Sequence, residues 1–239
     1  MIKIYPKKSQ AYGEFNNGEI IENKPIGFPQ DNGPVKPYSN LFYWAFAEAN
    51  NESTIGLHPH KGFEIMSFVL SGSIDHYDTK INKWLTLKKG DVQLIKSGSG
   101  IYHSEKLHKH SSIFQIWFDP NISKSITIPP QYQDFKSNNF KFDGNRKYYV
   151  GNNSLIKLDS ENIQIFKLKI SKYTILRVPE TLVYSIYCLN NSFKLNNMTI
   201  KKNDFIIIYD EKDVYISVKT PIELFVISSS KFVSYKTYF

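Results

Sequence analysis

The sequence predicts an all-β protein made of two β-barrels in tandem. Three observations carry that expectation. Short runs of β-branched and aromatic residues recur between turn residues along most of the 239-residue chain. The phrase Lys201-Lys202-Asn203-Asp204-Phe205-Ile206-Ile207-Ile208 parallels Lys88-Lys89-Gly90-Asp91-Val92-Gln93-Leu94-Ile95, as expected if one barrel repeats the other. Between them, Asp119-Pro120 and Pro129-Pro130 bracket a segment without helical or strand periodicity, prolonged by Ser137-Asn138-Asn139. This sets the expected domains at 1–130 and 131–239.

The elements follow in order. Residues 1–40 are polar and broken by Gly13, Gly18, Pro25, Gly27, Pro29, Gly33, Pro34 and Pro37, so short strands and turns are expected. The apolar run 41–47 suits either a buried strand or a short helix. Residues 63–70 are rich in β-formers and end at Ser71-Gly72-Ser73. Strands are expected at 74–78, around 84–87 and at 92–96, the last after a turn at Lys88-Lys89-Gly90-Asp91. Ser97-Gly98-Ser99-Gly100 reads as a tight turn delivering His103, and 112–118 as a further strand. The second half carries strands at 163–170, 183–189, 193–200, 205–208, 214–218 and 222–227, with Asn196-Asn197 as a hairpin tip.

Composition excludes several classes. A content of 41% hydrophobic and 15% aromatic residues is ample for packed cores and rules out disorder. The formal charge of +8 invites nucleic acid, but Arg146 and Arg177 are the only arginines. Sequence-reading proteins lean on the arginine fork, so scattered lysines are read as a solvated surface and no specific nucleic-acid partner is expected. One cysteine, Cys188, permits no intrachain disulfide and reads as a buried small hydrophobe. The first residues lack the apolar region of a secretory signal, and no apolar run approaches a membrane span. A soluble, cytoplasmic monomer is the expectation.

Chemistry concentrates in two phrases, His58-Pro59-His60 and His103-Ser104-Glu105. Residues at i and i+2 share one face of a strand, so each phrase presents two ligand types to one side of a sheet. Imidazole with carboxylate suits iron, zinc, copper, nickel or manganese, and the lack of thiolates argues against a structural zinc knuckle. Glu64 has the parity of His58 and His60, so parity leaves Glu64 and Glu105 both open as the carboxylate. Every histidine lies between positions 58 and 110, so only the first barrel can build an imidazole site. His108-Lys109-His110 has ligand spacing but sits in a lysine-rich loop and reads as solvated. His76 reads as a hydrogen-bonded structural residue. Met66, Phe68 and Leu70 share a face and read as core.

Gly56, His58, His60, Glu64 and Gly72 resemble the first cupin motif, and Gly90-Asp91, Gly98, Gly100 and His103 the second. A narrower set is similar to the pirin family: residues 58–64, Gly90-Asp91-Val92-Gln93, residues 97–105 and Gln115-Ile116-Trp117. The resemblance covers about residues 40–135. It implies two cupin-type double-stranded β-helices, with one divalent metal, usually iron as Fe(2+), held in the first by the residues matching His58, His60, His103 and Glu105. It also favours Glu105 over Glu64 as the ligand, with Glu64 orienting one. The implied activity is that of a quercetin 2,3-dioxygenase acting on flavonols or related chelating aromatics with dioxygen, Glu105 serving as general base. The alternatives are a non-enzymatic iron and redox sensor acting on a protein partner, and a metal-dependent cupin isomerase.

Overall fold

The structure, a computed structural model, describes residues 1–151 and 154–239. It is built almost wholly of antiparallel strands. In the first half these are β1 (Ile2–Tyr5), β2 (Ala11–Phe15), β3 (Ile20–Ile26), β4 (Leu41–Ala49), β5 (Ser53–His60), β6 (Glu64–Ser71), β7 (Ser73–Asp78), β8 (Trp84–Lys88), β9 (Val92–Lys96), β10 (Ile101–Leu107), β11 (Ser112–Phe118) and β12 (Gln131–Phe135). The second half adds β13 (Phe142–Asp143), β14 (Arg146–Val150), β15 (Gln164–Ile170), β16 (Thr174–Arg177), β17 (Leu182–Cys188), β18 (Phe193–Leu195), β19 (Met198–Ile200), β20 (Phe205–Ile208), β21 (Asp213–Ser217) and β22 (Ile222–Ser230). The one α-helix among the described residues is the single turn Ile122–Ser125. No helix among them is long and apolar enough to cross a membrane.

Contacts divide the chain into two units, 10–139 with 234–239, and 1–9 with 140–233. This differs from a single cut at 130/131. The mostly polar β12 forms a backbone ladder with β9, and Ser137 N donates to Asp91 Oδ1 at 2.8 Å, which keeps 131–139 with the first unit. At the other end, β1 pairs with β20 from Ile2↔Ile208 to Tyr5↔Phe205. Such edge strands are held by main-chain bonds to a partner distant in sequence, which local periodicity cannot reveal.

The first unit has sheets ordered β12-β9-β6-β11-β4-β3-β2 and β5-β10-β7-β8; the second has β1-β20-β17-β22-β15-β14-β13 and β16-β21-β18-β19. The two orders match strand for strand, so the second barrel repeats the first. The paired phrases noted in the sequence are the same turn. Lys88 N donates to Asp91 Oδ2 at 3.1 Å and Lys201 N to Asp204 Oδ2 at 2.8 Å, with Gly90 at φ +89 and Asn203 at φ +69. Glycine and asparagine are the residues that tolerate this left-handed position. Asn196, at φ +50, likewise forms the hairpin tip between β18 and β19. The run 41–47 is strand, not helix. β4 pairs with both β3 and β11 and is buried on both faces, which is why it reads as continuously apolar.

The barrels differ inside. The second holds one continuous aliphatic and aromatic cluster that includes Tyr184, Ile186, Cys188, Val214, Ile216, Leu224 and Val226. The first holds two clusters, one with Tyr43, Ala45, Ile65, Ile95 and Ile101, the other with Ala47, Val69, Leu107 and Ile113. Between them on the inward parity lie Ser67 on β6, His103 and Glu105 on β10, and Gln115 on β11. Among the described residues, a polar layer thus interrupts the first core beside the histidines.

Candidate metal centre

The β5–β10 ladder brings the two ligand phrases together. His103 lies opposite His58 and Ile101 opposite His60, and a bulge between His103 and Glu105 then shifts the register so that Glu105 faces Ile55. The turn before β10 depends on glycine: Gly98 sits at φ +49, where a Cβ would come within 2.2 Å of the Ile128 carbonyl oxygen. Ser97 Oγ donates to Phe63 O at 2.8 Å, tying this turn to the start of β6.

Three imidazole nitrogens converge. His103 Nε2 lies 2.8 Å from His60 Nε2 and 2.8 Å from His58 Nε2. His58 Nδ1 donates to Gly56 O at 2.7 Å, which leaves its Nε2 with a lone pair facing the others. One ring nitrogen carries either a hydrogen or a lone pair and satisfies one in-plane partner, so two such approaches suit a shared cation better than hydrogen bonding. Burial, with repulsion from His103 and His58, pushes His60 down to about 3. Burial, with repulsion from His58 and His76, pushes His103 down to about 2. Both rings are therefore neutral at physiological pH, the form that ligates metal.

Glu105, buried beside them, is held from three sides. Its Oε1 accepts from Ser67 Oγ at 3.2 Å and Gln93 Nε2 at 3.4 Å, and its Oε2 accepts from Gln115 Nε2 at 2.6 Å. The ligand-type atoms of His58, His60 and His103 form one group, and those of His76, His103 and Glu105 a second that shares His103. The nitrogen and oxygen donors, without thiolate, fit a borderline divalent cation.

Of the other candidates, His76 belongs to the second of these groups, and the rest have other partners. Glu64 shares a face of β6 with Met66 and Phe68, opposite that of Ser67, and its carboxylate lies 3.5 Å from Lys96 Nζ, its neighbour across the β6–β9 ladder. Its partner here is thus Lys96, not the histidine ligand that the resemblance led one to expect. The parity it shares with His58 and His60 carries no information, because the chain turns between β5 and β6. His76 is fully buried with its Nε2 2.8 Å from Asp78 Oδ2, and its ring stacks on Tyr132. His108 is partly buried, tethered to Glu52 at 2.8 Å and Asp75 at 3.0 Å. Met66 and Phe68 are core, and Cys188, its thiol pushed up by burial to about 12, donates to Asn190 O at 3.1 Å.

A cavity of about 370 Å³ opens onto this group. His58, His60, Glu105 and Gln115 line it with the aromatic rings of Phe15, Phe28, Tyr43 and Trp117. Trp117 meets His60 edge to face at 4.6 Å, and its Nε1 donates to Gln115 Oε1 at 3.3 Å. Ser67, Gln93 and Gln115 were not singled out for a role from the sequence. Polar residues at inward positions of otherwise apolar strands are the signal that points to them.

Residues 23–118 match the family model described as Pirin. Through this segment the chain is similar to the pirin family. Among curated relatives, a quercetin 2,3-dioxygenase of Escherichia coli is 29% identical over 143 residues, 54% of this chain and 56% of that protein. A pirin-like protein of Caulobacter vibrioides is 46% identical over 65 residues, 26% of this chain and 28% of its own length. These alignments thus span between about a quarter and just over half of the relatives. The crystal structure of the bacterial pirin YhhW from Escherichia coli in complex with nickel(II) superposes with a TM-score of 0.81 at 19% identity, covering 96% of this chain and 99% of that one. The fold is accordingly that of tandem cupin barrels, and the pirin segment contains every histidine discussed above.

A pH dependence follows for the metal-free pirin fold. Unfolded histidine takes its proton near 6.5, whereas folded His60 and His103 stay neutral to about 3 and about 2. The unfolded state therefore binds more protons below about pH 6.5. Stability is complete above that value and is lost as pH falls toward 3, by up to ~1.4 kcal/mol per pH unit for each ring. Thermal unfolding of the metal-free protein between pH 8 and pH 5 should show the loss, and metal loading should blunt it.

Proposed function

We propose that the chain holds one divalent metal ion, iron as Fe(2+) foremost, through His58, His60, His103 and Glu105, and acts as a dioxygenase on quercetin-like flavonols or related chelating aromatic compounds. The observation that carries this is the convergence of three imidazoles, with Glu105 beside His103, next to an aromatic-walled cavity that His58, His60 and Glu105 line. Three nitrogens and one oxygen leave up to two positions on a six-coordinate ion, enough for a chelating substrate or for a substrate oxygen and dioxygen. When bound, the ion supplies Lewis acidity and one-electron chemistry toward dioxygen.

The protein supplies the rest. Phe28, Tyr43 and Trp117 offer flat surfaces to a planar ring system and keep water from it. Glu105 takes the proton of the substrate's acidic hydroxyl onto its carboxylate, acting as general base. Gln115, Ser67 and Gln93 hold that carboxylate in place while its charge changes. The relatives named as quercetin 2,3-dioxygenases support the substrate class.

The test is metal analysis of the purified protein together with oxygen uptake. Iron-loaded protein prepared anaerobically should shift the absorption of quercetin and, once oxygen is admitted, consume it in step with loss of the flavonol. Protein stripped by chelator should do neither. Iron-loaded protein that leaves the quercetin spectrum unchanged and takes up no oxygen would overturn the reading.

A further inference from the structure

The same cavity has a second polar group that the metal chemistry does not use. Glu22 on β3 is 6% exposed and lines the cavity together with Lys24 and Tyr43. In register, Glu22 lies opposite Ala47 on β4, and Ala47 opposite Ile113 on β11. It therefore stands two strands, roughly 10 Å, across the sheet from the strand that carries Gln115. The aromatic wall spans the interval. Trp117 meets His60, Phe28 meets Trp117 at 5.3 Å, and Phe28 stacks on Tyr43 at 4.3 Å.

Glu22 is poorly satisfied where it stands. The Tyr43 hydroxyl donates to its two oxygens at 3.3 and 3.4 Å, and Lys24 Nζ is 4.0 Å away, closer to Asp31 at 3.3 Å. A carboxylate accepts about four hydrogen bonds, so most of its capacity is unused. Burial pushes it up to about 7, against the opposing effects of Lys24 and Tyr43. Gly13, directly opposite on β2, keeps space beside it, since a Cβ there would lie 3.1 Å from Glu22 Oε2. Its ion pair with Lys24 is at the outer limit of such a contact, with Lys24 closer to Asp31, and the carboxylate also lines the cavity.

We propose that Glu22, with Tyr43 and Lys24, forms a recognition subsite for a phenolic hydroxyl on the part of the ligand remote from the histidines. A phenol donates to the carboxylate and accepts from a cationic or hydroxyl donor, which is the combination these three residues offer. The inference rests on the flavonol reading and narrows it: the preferred substrate carries hydroxyls on its distal ring as well as at its chelating end.

The test compares quercetin with 3-hydroxyflavone, which keeps the chelating end but has no other hydroxyl. Dissociation constants are read from the flavonol absorption shift on anaerobic, metal-loaded protein. The wild type should favour quercetin by about tenfold or more, and Glu22→Gln should bring the ratio to within about twofold. Tyr43→Phe, which keeps the ring, should lower it in part. A ratio that Glu22→Gln leaves at the wild-type value overturns the subsite. If neither flavonol binds, the flavonol reading has failed, and the subsite is then read with resorcinol on metal-free protein by ligand-observed NMR. Resorcinol binding that Glu22→Gln abolishes keeps the subsite; equal binding to both proteins, or none, overturns it.

Discussion

Replacing His103 by alanine should empty the metal centre while leaving the barrel folded. His103 is fully buried, and its Nε2 is the atom that both His58 and His60 approach. Changes to groups that merely support a ligand cost ~10–100-fold in metal affinity, so loss of the central ligand should cost more than about 100-fold. Metal content after dialysis should fall from one ion per chain to a small fraction, with far-ultraviolet circular dichroism unchanged. The β10 ladders to β5 and β7 are main-chain bonds and survive the substitution. A His103→Ala protein that keeps a full complement of metal would remove His103 from the ligand set.

Glu105→Gln should separate binding from turnover. The amide keeps the size of the side chain but cannot take a proton at neutral pH, so oxygen uptake with quercetin should drop by ~100- to 10,000-fold. It also places an amide near Gln115, Gln93 and Ser67, all of which donate to the carboxylate, so metal affinity should weaken as well. Substitution of Glu64 supplies the contrast. Glu64→Ala breaks the pair with Lys96 and should lower stability with metal content intact. Metal lost from Glu64→Ala and retained in both Glu105→Gln and Glu105→Ala would reverse the assignment of the carboxylate.

Much of this was readable from the chain because the informative spacings are local. His58 and His60, and likewise His103 and Glu105, are two residues apart on one strand, and a strand of any partnership turns such a pair to one side. The turns at Gly90 and Asn203 were legible for the same reason: a left-handed residue followed by an aspartate that caps its own loop needs no distant partner. That the second barrel offers no imidazole was legible from composition, since no histidine follows His110.

What stayed hidden depends on partners far along the chain. The polar strand β12 exists because β9 offers it an edge, and β1 because β20 does. The run 41–47 was ambiguous between strand and helix because a strand paired on both sides and buried on both faces, as β4 is, loses its alternation. Glu64 was expected beside a ligand from the family motif, and no local spacing could show that the turn between β5 and β6 sets it across the ladder from Lys96.

The sequence by itself determined the strand content, the four candidate ligands and the barrel that holds them, since each follows from residue type and near-neighbour spacing. Tertiary structure alone set Glu105 beside His103 and His76 and brought Ser67, Gln93 and Gln115 around it. It also set Glu22, Lys24 and Tyr43 into the wall of the same cavity. The physical reason is common to all three: strand pairing and the bulge at His103–Glu105 fix which face of each strand looks inward, and that choice is made across ladders between segments tens of residues apart.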